Sequence, residues 1–226
     1  MALTGFQQTL CRLIAANRLE QGEAYVAGGV ALNLLTGGRR ISRDIDLFHD
    51  TLEALDATWQ ADRQLLQTHG YEMRSIHERP GYVEAVVGKG QDAVLMQWTR
   101  DSAFRFFPLV QHEELGLVLH AFDLATNKVL ALAGRLEIRD WIDVITCHER
   151  IQALGYLAWA ACGKDPGFSP LAILEEAARS GRYTTAELEG LSFDGPVPIL
   201  GDLLRKWHSM LREAREVVAV LPTGQV

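Results

Sequence analysis

Apolar residues recur at helical spacing at the start of the chain, where Phe6, Leu10, Leu13 and Ile14 fall on one face and predict an amphipathic helix. Ala24-Tyr25-Val26-Ala27 is a short apolar run that stops at Gly28-Gly29, the pattern of a strand ending in a glycine turn. Val30 to Leu35 resumes the helical pattern, and Gly37-Gly38 closes it. Asp44 to Phe48 alternates acidic and apolar residues with the two-residue period of a strand. Leu52 to His69 reads as a helix ended by Gly70.

The period then changes. Tyr71 to Ile76, Tyr82 to Val87, Ala93 to Trp98 and Leu115 to His120 read as strands separated by Pro-Gly or Gly-rich turns. From Asp123 the pattern is helical almost to the end, with breaks at Pro166, Gly167 and Pro170 and again at Gly195, Pro196 and Pro198. The expected fold class is therefore α+β. Residues 1–121 would form a mixed sheet flanked by helices, and residues 122–226 an all-helical domain closing a cleft, a common place for a ligand.

Composition narrows the function classes. The 226 residues are 48% hydrophobic and 23% charged, enough to bury a core and unlike a disordered chain. No apolar run is long enough to cross a bilayer, and the first residues lack the basic start and apolar block of a signal peptide, so a cytoplasmic location is expected. Cys11, Cys147 and Cys162 are odd in number and without metal-ligand spacing, which fits small buried residues in a reducing compartment. A net charge of −7 argues against a surface coated for non-specific nucleic-acid binding. A local cluster of Arg and Lys could still grip a few phosphates.

The segment from Tyr25 to Phe48 carries the candidate chemistry. Gly28 and Gly29 lie between a strand and a helix, where missing side chains let backbone N–H groups approach an anion. Asp44 and Asp46 are two apart on a strand, so both carboxylates project from one face. Carboxylates that close repel unless a cation lies between them, and Mg²⁺ favours such oxygen ligands shared with a phosphate chain. The combination points to a metal–triphosphate site. Read singly, Gly-Gly is a plain turn and the two aspartates a solvated strand edge.

This segment resembles the signature of the DNA polymerase β-like nucleotidyltransferases: a Gly-Gly or Gly-Ser turn, a helix, then Asp-hydrophobic-Asp on the next strand. It looks most like the AbiEii toxin family, with Arg40, Ser42, Asp44 and Asp46 at that family's first-motif positions. A second block, Asp123 to Asp143, resembles the family's later motifs, with Lys128, Arg135, Arg139, Asp140 and Asp143 filling their places. The resemblance spans roughly residues 24 to 150. It implies a nucleotidyltransferase-like N-terminal sheet domain followed by a helical domain. It further implies Asp44 and Asp46 as metal ligands, and a nucleoside triphosphate cradled by Gly28 and Gly29. Arg40 or Lys128 would neutralise phosphate charge, with Ser42, Arg135, Arg139 and Asp140 as further substrate contacts and Asp143 as a catalytic candidate beside Lys128. The cofactor would be Mg²⁺. RNA, such as a tRNA 3′ end, would be the acceptor, and a separate antitoxin protein a partner.

The second block also has a reading without the resemblance. On one straight helix over residues 124–146, Lys128, Arg135 and Arg139 would share a stripe about 40° wide, with Asp143 at its edge. Cations on so apolar a helix need anionic partners, either Asp140 and Asp143 or a nucleotide. Gly134 could divide the helix and dissolve the stripe.

One departure stands out. Polymerase β-like enzymes commonly add a third carboxylate from a neighbouring strand, and Gln97 occupies the expected place. A neutral amide coordinates Mg²⁺ weakly and cannot act as a general base. Glu84, Asp101 or Asp143 could compensate, or the base could lie elsewhere. The competing expectations are a nucleotide-binding protein without turnover, or transfer to a protein hydroxyl or a cationic small molecule. His49, near the aspartates, reads as a hydrogen-bonded bystander, and His112, His120 and His148 have no ligand spacing.

Overall fold

The computed structural model describes residues 3–102 and 104–222. Its elements run α1 (Gly5–Gln21), β1 (Ala24–Ala27), α2 (Gly28–Thr36), β2 (Asp44–His49), α3 (Leu52–Thr68), β3 (Glu72–Arg79), β4 (Tyr82–Lys89), β5 (Asp92–Arg100), β6 (Val110–His112) and β7 (Gly116–Val118). The helices α4 (Ala121–Arg135), α5 (Ile138–Arg150), α6 (Leu154–Ala161), α7 (Pro170–Ala178), α8 (Thr185–Glu189) and α9 (Leu200–Val220) follow. The fold is α+β, a mixed sheet with helices followed by helices alone. Two compact units emerge: residues 1–34 with 41–120, and residues 35–40 with 121–226. The end of α2 and the four residues after it thus belong with the helical unit.

In the first unit the described strands form one sheet in the order β3-β4-β5-β2-β1-β7-β6. Central β2 runs antiparallel to β1 and parallel to β5. Alternation decides which side each residue serves. Ile45, Leu47, Met96 and Trp98 are fully buried, and so are Ala85 and Val87 on β4. They form the side covered by α1 and α3, where Trp98 meets Trp59 of α3 edge-on at 4.8 Å. Burying each such large side chain contributes about 1.5–3 kcal/mol. A polar knot lies inside this layer: Asp62 accepts from Arg18, from Trp98 Nε1 at 2.8 Å and from Asn17 at 2.7 Å. Thr4 caps α1 through a reciprocal box with Gln7, and Gly22 ends the helix in the left-handed region at φ 71°.

The sheet's outer strands differ in length. β3 is largely exposed along its eight residues and shifts register against β4 between Ser75 and His77, while β6 at the other border has three residues.

In the helical unit, Trp141 of α5 and Trp207 of α9 are fully buried and meet edge-on at 6.1 Å. Gly155 lets α6 approach α9 closely, since a Cβ there would lie 2.7 Å from Val217 Cβ. The run from Asp123 to Asp143 is not one helix. α4 ends at Arg135, Leu136 adopts φ 53°, and α5 begins at Ile138. Gly134 stays inside α4; the break falls two residues later. The single stripe of cations expected from a straight helix is thereby replaced by a helix–turn–helix arrangement.

Candidate active site

Strand β2 presents Asp44, Asp46 and Phe48 on the side opposite Ile45, Leu47 and His49, so the two carboxylates share a face as their spacing requires. Ala27 pairs with Asp46 across the antiparallel β1–β2 ladder, which places the following residue, Gly28, against the Asp46 side chain. Gly28 has φ 67°, and a Cβ built on it would lie 1.9 Å from Asp46 Oδ2. Only a glycine fits, for space and for backbone conformation alike. Helix α2 starts at this residue, and Gly29 is buried in its first turn.

The same face continues across the sheet. Asp46 is in register with Gln97 on β5, and Gln97 with Glu84 on β4. Gln97 Nε2 donates to Glu84 Oε1 at 2.9 Å, Tyr82 Oη donates to the same oxygen at 3.0 Å, and His77 Nδ1 lies 2.8 Å from Glu84 Oε2. The hydrogen bond with His77, together with those from Tyr82 and Gln97, holds the Glu84 carboxyl below the ordinary carboxylate range. Tyr82 is shifted upward by burial, by its bond to Glu84 and by the negative charges of Glu84 and Asp46. The neutral residue expected at the third-carboxylate position is thus seated between Asp46 and an acid one strand farther on. Asp101 lies past the end of β5, where its carboxylate accepts from the Ser102 amide, and is not part of this row.

The helical unit brings together a second set. Asp143 accepts from Arg40 in a two-point contact, Nε to Oδ1 at 2.7 Å and Nη2 to Oδ2 at 2.8 Å, and pairs with Lys128 Nζ at 2.8 Å. Lys128 also reaches Asp140 at 3.2 Å, and Arg135 holds Asp140 through Nε at 2.6 Å. The result is a chain of alternating charge, Arg40–Asp143–Lys128–Asp140–Arg135. Asp140 and Asp143 are buried at its heart. Burial alone would push the Lys128 ammonium down, but Asp143 and Asp140 outweigh it and hold the group above its ordinary value. Burial opposes ionisation of Asp140 in the same way, and Arg135 and Lys128 override it to depress that carboxyl.

Arg139 meets the end of this set through Glu137, which also lies 3.7 Å from Arg135. It pairs with Glu137 at 2.6 Å from the first turn of α5. Ser42 is buried, and its carbonyl accepts from Gln7 Nε2 at 2.7 Å. His49 faces the helix-covered side with Nδ1 3.3 Å from the Thr99 carbonyl, the bystander geometry expected. Sequence reading did not foresee Tyr82 and His77 around Glu84 or the Arg40–Asp143 pair. These contacts span the ladder in one case and 103 residues in the other, and no local pattern encodes them.

Among the described residues no cluster of three or more His, Cys, Asp or Glu side chains is arranged to hold a metal. A divalent ion shared with a phosphate chain does not need one: two carboxylates on one face suit Mg²⁺, which keeps waters and takes its remaining oxygens from the substrate. The glycine backbone packed against Asp46 leaves no side chain to crowd that carboxylate. The donor set therefore fits Mg²⁺.

No family model and no curated protein sequence matches the chain. Solved structures do. A candidate nucleotidyltransferase from Helicobacter pylori aligns with a TM-score of 0.61 at 14% identity, covering 97% of this chain and 97% of its own. JHP933, also from Helicobacter pylori, aligns with a TM-score of 0.62 at 15% identity, covering 96% and 95%. The nucleotidyltransferase toxin MenT4 of Mycobacterium tuberculosis aligns with a TM-score of 0.56 at 16% identity, covering 96% and 82%. The chain shares the fold of these nucleotidyltransferase structures.

Proposed function

We propose that this protein is a Mg²⁺-dependent nucleotidyltransferase that moves a nucleoside monophosphate from a nucleoside triphosphate to an acceptor hydroxyl. The observation that carries this reading is the pairing of Asp44 and Asp46 on one sheet face with the Gly28 backbone set against Asp46. Asp44 and Asp46 would hold the cation. When bound, it neutralises charge on the phosphate oxygens and orients the triphosphate. Gly28, Gly29 and the start of α2 would accommodate the phosphate tail. The acceptor hydroxyl gives its proton to solvent as its oxygen attacks the α-phosphorus, the bond to the bridging oxygen breaks, and pyrophosphate leaves with the electron pair.

In the helical unit, Lys128 is assigned to phosphate charge, with Arg40 and Arg135 steadying the carboxylates that hold it and Asp143 positioning it. Asp140, held by Arg135, would act with Asp143 on Lys128, and Ser42 and Arg139 would be further substrate contacts. RNA, including a tRNA 3′ end, is the acceptor we favour, and an antitoxin protein the natural restraint. The support is the fold shared with MenT4, a nucleotidyltransferase toxin.

The test is transfer of label from an α-labelled nucleotide to total RNA with Mg²⁺. Transfer should be lost in Asp46→Asn and on chelation of the metal. Equal transfer by the variant would remove the assigned site.

A second reading, nucleotide binding without turnover, is favoured by Gln97 standing in register with Asp46. Calorimetric binding of Mg²⁺–nucleotide with no transfer to any RNA pool would select it.

A further inference from the structure

We infer that Gln97 contributes the third protein oxygen to the cation site of Asp44 and Asp46, and that Glu84 is the positioning residue that turns this oxygen toward them. The inference rests on the reading of those aspartates as metal ligands and goes one residue further in each direction.

Glu84, Gln97 and Asp46 occupy one row across β4, β5 and β2, with Gln97 in the middle. Paired residues on neighbouring strands point to the same side, and the strands stand about 4.8 Å apart. Gln97 is therefore within side-chain reach of both acids. Its amide has two different ends, a donor nitrogen and an acceptor oxygen. Chemistry decides which end faces which acid. Tyr82 Oη and the Gln97 amide both donate to Glu84, whose carboxylate oxygens are there the acceptors. Gln97 must give it the nitrogen, and does so at 2.9 Å. Once the nitrogen is committed to the β4 side, the oxygen is left for the β2 side, where Asp46 stands.

A carbonyl oxygen next to two carboxylates completes a hard-oxygen donor set of the kind Mg²⁺ and Mn²⁺ take. It brings no charge, so the protein donors sum to two negative charges instead of three. It also cannot take a proton, which removes general-base chemistry from this position. Glu84 here plays the part of an outer-shell partner: it touches the ligand and fixes which of its atoms is presented. Without Glu84 as obligate acceptor, the amide could turn its nitrogen toward Asp46 and block the cation.

The experiment titrates the full chain with Mn²⁺ in the absence of nucleotide, following the electron paramagnetic resonance signal of free Mn²⁺. Wild-type protein should bind and Asp46→Asn should not. Gln97→Met, close in shape but without the amide, should weaken binding about tenfold, and Glu84→Gln should weaken it in the same direction. Should Gln97→Met fail to fold by circular dichroism, Gln97→Leu takes its place beside Glu84→Gln. Wild-type affinity in both variants overturns the inference while leaving the aspartate site standing. Weakening by Glu84→Gln only would make Glu84 a ligand itself and also overturns it. Weakening by Gln97→Met only keeps the ligand and overturns the positioning role. Wild-type protein that binds no better than Asp46→Asn sinks the proposed cation site and this inference with it.

Discussion

The Asp46 carboxylate fills the space that any side chain at Gly28 would need, with Oδ2 only 1.9 Å from where a Cβ would stand. The two residues are locked together by the β1–β2 register, in which Ala27 opposes Asp46. Neither partner can change without moving the other.

Gly28→Ala is accordingly expected to act twice. The left-handed backbone costs a non-glycine residue about 1–2 kcal/mol. The new methyl group also displaces the Asp46 carboxylate, and a shift near 1 Å in a reacting constellation lowers a rate about a hundredfold. Chemical denaturation together with the RNA-labelling assay measures both. Wild-type transfer by Gly28→Ala would show that the carboxylate's position is unimportant.

Asp143 has two cations on it, Arg40 and Lys128, at low exposure. Asp143→Ala leaves both without that carboxylate in a buried setting, and a loss of about 3–5 kcal/mol in unfolding free energy is expected. Lys128→Met is milder, about 1–3 kcal/mol, because Asp140 keeps Arg135 and Asp143 keeps Arg40. Urea titrations should rank the variants in that order. Lys128→Met is then the cleaner probe of phosphate binding, since its transfer defect is less confounded by unfolding.

His49 is fully buried, and burial, with Arg18 nearby, holds its pKa down to about 4 from an ordinary 6.5. A depressed folded pKa stabilises above the unfolded value and loses that contribution as pH falls through the folded one. The window is thus pH 6.5 to about 4, with about 3 kcal/mol lost across it. Melting temperature measured across this range should fall for the wild type and fall less steeply for His49→Asn. Parallel curves would contradict the assignment.

The thiols should be unreactive in the folded protein. Burial pushes Cys11 up to about 12 and raises Cys147 as well, and half-buried Cys162 is shifted upward too. Ellman's reagent at pH 8 should detect fewer than one thiol in native protein and all three in denaturant. Rapid reaction of two thiols before unfolding would be incompatible with this packing.

Strands and helices bounded by glycine were plainly written in the sequence. β1 runs from Ala24 to Ala27 and β2 from Asp44 to one residue past Phe48, because alternation and the Gly28-Gly29 and Gly37-Gly38 turns leave little freedom. β6 was not legible: three residues after a proline-containing loop are too few to display a period. Nor was the break in the Asp123–Asp143 run, since it rests on a leucine at positive φ, where propensity favours glycine or asparagine, while Gly134 is accommodated within α4. At the candidate site, the shared face of Asp44 and Asp46 follows from spacing alone. The row from Asp46 through Gln97 to Glu84 depends on strand register, and the Arg40–Asp143 contact on tertiary packing.

The borders of the sheet have a consequence for how the protein behaves when concentrated. A long, flat, greasy border would invite other chains to add strands and seed aggregates. Here one border, β3, carries Glu72, Arg74, Glu78 and Arg79 and is interrupted by its register shift, and the other, β6, ends after three residues. Neither offers a straight template for recruitment, which equips the sheet to stay solitary in a crowded solution.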